Sequence, residues 1–188
     1  KTSDPNQRLE LYIALLKGVL TPEGQEGNAK YKFPKSSFVV IDVETKKKRR
    51  DEVNDLTFEA IGSFMAFLQT DRQGLFKLLD YVGLRAASET TDSTLKTMFS
   101  DFIKSSESKL KMYMKMAEEF QTDQGREKVE LYSVLRDSYP GGGVSKDRTG
   151  VFTYDGIEIG GDLKTAAQNI ATRTEFSDIK KKLILGED

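Results

Sequence analysis

The chain has 188 residues, with 29 Lys and Arg against 30 Asp and Glu, and contains no Cys, His or Trp. The length suits one domain or two small ones, and an apolar fraction of 37% is enough to build a core. The missing residues exclude disulfides, thiol nucleophiles, Cys- or His-ligated zinc and any His general base, so a binding or structural role is favoured over catalysis.

Asp4-Pro5 reads as a helix N-cap followed by proline at the first helical position. Leu9, Tyr12, Ile13, Leu16 and Leu20 continue at helical spacing, predicting a helix to about residue 20 that Thr21-Pro22-Glu23-Gly24 stops. The chain opens at Lys1 rather than Met, so further sequence upstream is expected. A polar loop is expected to about Pro34. Residues 37–44 are β-branched enough for a strand but lack a clean period. The basic run 46–50 follows, and Val53, Leu56, Ala60, Ile61, Phe64, Phe67 and Leu68 then mark a strongly amphipathic helix with Asp51 and Glu52 in its first turn.

A shorter helix carries Leu75, Phe76, Leu79 and Val82 and ends at a left-handed Gly83. Residues 86–91 are small and polar, which suggests a boundary. Leu95, Met98, Phe99, Phe102 and Ile103 make one helical face, and Leu110, Tyr113, Met114, Ala117 and Phe120 make another. The seven-residue step between them fits one long helix or a break near Ser105-Ser106 equally well. Val129, Tyr132, Leu135 and Tyr139 predict another helix, ended by Pro140 and three glycines. Residues 151–159 read as a hairpin turning on Asp155-Gly156, and helices are expected around 162–173 and 175–185. The fold expected is mainly α: two small helical subdomains, 1–86 and 92–188, joined by a linker at 87–91, with one short β-hairpin in the C-terminal part.

Three features bear on chemistry. Asp42 and Glu44, two apart in an apolar segment, look like the first motif of the four-carboxylate 3′–5′ exonucleases, where alternate strand residues hold Mg²⁺. Tyr132 and Asp137 are the available partners for a later motif, but too few strands are predicted for that fold. The stretch 141–150 contains Gly, Lys and Thr without phosphate-loop spacing, and a flexible connection is the simpler reading.

The third feature is charge. Residues 30–50 hold Lys30, Lys32, Lys35, Lys46, Lys47, Lys48, Arg49 and Arg50 against Asp42 and Glu44, a local +6 in a chain of net −1. Anionic lipid, nucleic-acid phosphate or nuclear-import machinery would fit such a segment, as would a solvated loop. For RNA, Tyr31, Phe33 and Phe38 are nearby stacking candidates. Lys104, Lys111 and Lys115, seven and four apart, are expected on one helix face and would extend a basic surface. Met112, Met114 and Met116 read as core filler, and Lys180-Lys181-Lys182 as compensation of a helix C-terminal dipole.

The N-terminal half resembles the matrix proteins of orthomyxoviruses, above all the isavirus type. The likeness is carried by Leu15-Leu16-Lys17-Gly18-Val19-Leu20-Thr21-Pro22, followed by the basic run 46–50 and the apolar helix 53–68. The family's Cys/His cluster is absent, so no zinc role transfers and no cofactor is implied. The resemblance implies a non-enzymatic, self-associating layer beneath a viral envelope, in contact with anionic membrane and with viral ribonucleoprotein or RNA. It also implies passage through the host cytoplasm and nucleus to the inner face of the plasma membrane.

Overall fold

The computed structural model describes residues 4–16, 20–22, 38–40 and 43–185. Their packing divides the chain into two units, Lys1–Asn54 and Asp55–Asp188.

The first unit begins with α1 (Pro5–Leu16), whose start is fixed by the Asp4 carboxylate accepting the Asn6 N–H at 2.9 Å. The helix was expected to reach residue 20, but Leu20 instead opens strand β1 (Leu20–Pro22). Proline disfavours the helical conformation in the residue before it, so Thr21 is extended. β1 pairs in parallel with β2 (Phe38–Val40), Leu20 opposite Phe38.

Helix α2 (Val43–Thr70) starts ten residues earlier than the apolar pattern predicts and takes in the whole basic run. Lys, Arg and Glu are good helix formers, and Lys47 and Lys48 stand four residues before Asp51 and Glu52, the spacing at which opposite charges support a helix. Asp51 and Glu52 therefore lie in the helix interior, and Glu44 is the carboxylate in the first turn. The division between the units falls within α2.

In the second unit α2 contributes Ala60, Phe64, Phe67 and Leu68 to the core. It is followed by α3 (Arg72–Val82), α4 (Asp92–Lys104), α5 (Glu107–Glu119) and α6 (Asp123–Ser138). Gly83 closes α3 at φ 97°, as its position predicts. The segment expected as a linker, 87–91, is the connection between α3 and α4 inside this unit. Arg72 ties it down, donating to Ser88 O at 3.3 Å and Thr90 O at 2.7 Å.

The ambiguous stretch around Ser105-Ser106 is a break. Ser106 leaves helical geometry and accepts the Ser108 N–H, while the Ser105 hydroxyl donates to Phe102 O at 2.7 Å. Two serines thus satisfy backbone groups that a continuous helix would have paired. The break brings α5 back against α4: Phe99 stacks on Phe64 with centroids 4.3 Å apart and meets Tyr113 edge-on at 4.6 Å. Leu75, Leu78, Leu79, Leu95, Leu110, Leu131 and Leu135 complete a water-free centre. Each such side chain contributes roughly 1.5–3 kcal/mol by leaving water.

The C-terminal part holds an antiparallel sheet, β3 (Val144–Lys146), β4 (Phe152–Tyr154) and β5 (Ile157–Gly160), then α7 (Leu163–Thr172), a 3₁₀ turn (Thr174–Phe176) and α8 (Ser177–Leu185). Asp155 and Gly156, at φ 48° and 84°, make the predicted hairpin turn. Strand β3 lies in the stretch read as a flexible connection; buried Val144 anchors it, and Asp155 N donates to Gly143 O at 2.9 Å. The sheet seats on α7 at Gly160, where a Cβ would lie 2.8 Å from Ala166 N. The fold is mainly helical with a small three-stranded sheet in its C-terminal part.

Candidate functional site

The basic run occupies the second turn of α2 and the start of its third. Every residue from Glu44 to Arg50 is exposed. Successive helical residues are about 100° apart, so Lys46, Lys47, Lys48, Arg49 and Arg50 surround the helix rather than line one side. No single neighbouring element could cover them all. In the same unit, α1 exposes Leu9, Tyr12, Ile13 and Leu16, at 57%, 60%, 41% and 57%. These positions form one stripe, so the apolar face predicted for α1 exists but is open to solvent.

The other predicted site residues are scattered. Lys30, Lys32, Lys35, Asp42, Tyr31 and Phe33 lie outside the described residues. Phe38 is in β2. Glu44 is helical, so the strand alternation that the exonuclease motif requires is not formed there. Tyr132 is packed edge-on against Tyr81 at 5.0 Å, and Asp137 pairs with Arg136 at 2.6 Å. Among the described residues no group of three or more His, Cys, Asp or Glu could hold a metal ion, and no helix is long and apolar enough to cross a membrane.

The expectation that Lys104, Lys111 and Lys115 share a helix face is corrected. Lys104 ends α4, whereas Lys111 and Lys115 belong to α5, because the chain breaks at Ser105-Ser106. Lys111 pairs with Glu107 at 2.7 Å. Lys180 is likewise no simple dipole partner: it pairs with Glu127 of α6 at 2.6 Å.

Lys115 instead joins a cluster that sequence reasoning missed. A cleft of about 630 Å³ opens among α3, α5, α6 and α7. Lys115, Lys128 and Lys164 line it together with Glu119 and Tyr81. Glu119 receives Lys128 in a close ion pair and Lys115 at 3.8 Å. The Lys164 ammonium stands 5.0 Å from the Tyr81 ring centroid and that of Lys128 5.7 Å. Burial, and then the carboxylates of Glu119 and Asp162, push the Tyr81 hydroxyl up to about 12.

The cleft exists because α5 and α6 meet closely at one end. A Cβ on Gly125 would lie 1.9 Å from Glu119 O, so only glycine permits that approach. One signal for the cluster was present in the sequence: Lys128 stands four before Tyr132 and seven before Leu135, a charge on an otherwise apolar stripe. The structure buries it.

A second polar cluster surrounds Asp80, which is nearly buried on α3 and ion-paired with Arg136 and, at 3.6 Å, with Arg85. Its charges compensate one another within the fold.

Compared with protein-family models, with curated proteins and with solved structures, the chain matches none.

Proposed function

We propose that the chain is a structural layer protein of the orthomyxovirus matrix type, which binds anionic membrane through residues 46–50, self-associates beneath a viral envelope and bridges to ribonucleoprotein. The observation that carries this reading is the five adjacent cations wound around an exposed stretch of α2. Adjacent like charges repel, and an anionic surface relieves that repulsion at on the order of 1 kcal/mol per basic residue. Lys30, Lys32 and Lys35 extend the segment in sequence.

The exposed stripe on α1 supports a membrane as the surface. Charge and apolar contact together hold a peripheral protein where either alone is marginal. Phe58 and Ile61, exposed one turn apart on α2 at 73% and 37%, offer apolar area for self-association. Weak contacts repeated across a layer add through avidity.

The test is sedimentation with phosphatidylserine vesicles and with neutral phosphatidylcholine vesicles over a salt series. Expected are retention on the anionic vesicles alone, weakening with salt, loss of retention when all five basic residues become Ala, and an ordered coat by electron microscopy. Equal retention on neutral vesicles, or an unchanged five-Ala variant, would overturn the reading. RNA bound more tightly than anionic vesicles at matched salt would favour an RNA-binding module instead.

A further inference from the structure

The cleft among α3, α5, α6 and α7 lies wholly in the second unit, away from the residues assigned to membrane binding in the sequence. Its lining brings three ammonium groups around one carboxylate. Lys128 is the decisive member. It is only 8% exposed, and burying an ammonium is unfavourable unless its charge and its N–H groups find partners. One partner is Glu119, and the Tyr81 ring is a second, weaker one. Glu119 must also answer Lys115, so its single charge is divided between two lysines. Lys164 has the face of Tyr81 near its ammonium, and its charge also acts on Asp162 at the start of α7.

Asp162, outside the cleft lining, accepts the Lys164 N–H, the Thr165 N–H and the Thr165 hydroxyl, each at 2.9 Å, and its charge offsets one of the three ammonium groups. The cleft therefore keeps an excess of positive charge in a space large enough for a small organic ligand, for which about 300–1,000 Å³ is usual.

We propose that this cleft binds a phosphomonoester dianion, with Lys115, Lys128 and Lys164 contacting the phosphate. Charge favours the more highly charged anion, because three ammonium groups face Glu119 in the lining and Asp162 beside it, and so stay in excess. Residue type is compatible with phosphate. No arginine lines the cleft, so recognition rests on lysines, which act as point charges that can surround a tetrahedral oxyanion from several sides. Met112 and Met116 form an apolar wall beside the lysines, suited to the organic part of the ester, and the carboxamides of Gln124 and Gln168 supply polar contacts.

The experiment is isothermal titration calorimetry of the full chain with phenyl phosphate, inorganic phosphate and phenyl sulfate. Phenyl sulfate has nearly the same shape as phenyl phosphate but one negative charge. Phenyl phosphate is expected to bind most tightly, and the pair Lys115→Met/Lys164→Met, one exposed and one half-buried, to weaken it at least about fivefold with the thermal midpoint maintained. Lys96→Met, on an exposed part of α4, is expected to change nothing. Equal binding of sulfate and phosphate, or a double variant within twofold of the parent, overturns the proposal.

A phosphoinositide head group presents the same chemistry as a soluble ester. Vesicles containing phosphatidylinositol 4-phosphate are therefore tested with the five-Ala variant of residues 46–50. Retention that the Lys115/Lys164 pair abolishes assigns the phosphate to a lipid; phenyl phosphate binding without such retention assigns it to a soluble ester. Because these variants leave residues 46–50 and the cleft separately intact, failure here is distinguishable from failure of the membrane reading.

Discussion

Asp71 and Arg126 join the start of α3 to the first turns of α6. One Asp71 oxygen accepts the Gly74 N–H at 2.9 Å and so caps α3, and the other accepts from Arg126 Nη1, also at 2.9 Å. The carboxylate folds so closely over the helix that a Cβ on Gly74 would lie 2.3 Å from it. Asn retains the cap but not the charge, whereas Ala removes both. Asp71→Ala is expected to cost about 1–2 kcal/mol and Asp71→Asn less than about 1, because the ion pair is partly exposed and screened. Urea denaturation distinguishes them; equal losses would mean that the cap contributes nothing.

Tyr113 lies at the centre of the second unit with no exposed surface, and Ser63 is the polar side chain beside its hydroxyl. Burial pushes its ionisation from 10.0 up to about 12. The unfolded chain therefore loses this proton first as pH rises, and stability present below pH 10 declines between about 10 and 12. Tyr113→Phe keeps the ring and removes the buried hydroxyl. It is expected to change stability at pH 7 by less than about 1.5 kcal/mol and to lessen the alkaline loss, measured by denaturation from pH 7 to 12.

Asp162 caps α7 through two backbone N–H groups and the Thr165 hydroxyl. Its carboxyl is held below the usual 3.8, chiefly by the Thr165 N–H. A depressed folded pKa contributes stability that is complete above 3.8 and is lost as pH falls through the folded value. The difference in melting temperature between the parent and Asp162→Ala should therefore be largest near neutrality and shrink below pH 4. A gap that stays constant to pH 2 contradicts the assignment.

The α1 stripe and the α2 cations should separate by salt. Charge attraction is screened, with a Debye length of about 10 Å at 0.1 M, but apolar contact is not. Leu9→Ser/Tyr12→Ser/Leu16→Ser is expected to keep retention on anionic vesicles at low salt but to lower the salt concentration at which it is lost. Sedimentation of this variant beside the five-Ala variant measures both components. A salt profile of the triple-Ser variant identical to the parent's would mean that α1 does not enter the membrane.

How much was legible in the residues depended on the range of the interactions involved. Gly83 and Asp155-Gly156 need positive φ, a local requirement that the sequence states outright, and both occur where expected. The apolar stripes of α3 to α6 were equally readable, since periodicity records which side of an element leaves water. The start of α2 was misread because an apolar pattern is silent where a helix is wholly exposed. Strand β3 was missed because three residues carry no period, and it forms only when β4 provides its backbone partners.

The sequence by itself determined the helical class, the absence of Cys and His chemistry, and the +6 segment at residues 30–50. Only tertiary structure decided that Lys104 and Lys115 belong to different helices, and that Lys115 meets Glu119, Lys128, Lys164 and Tyr81. The reason is physical. Side-chain pattern encodes which face of an element is buried, but which buried faces meet depends on packing between segments far apart in the chain. The near-neutral total charge concealed both concentrations of lysine: one adjacent in sequence, and one assembled by three helices.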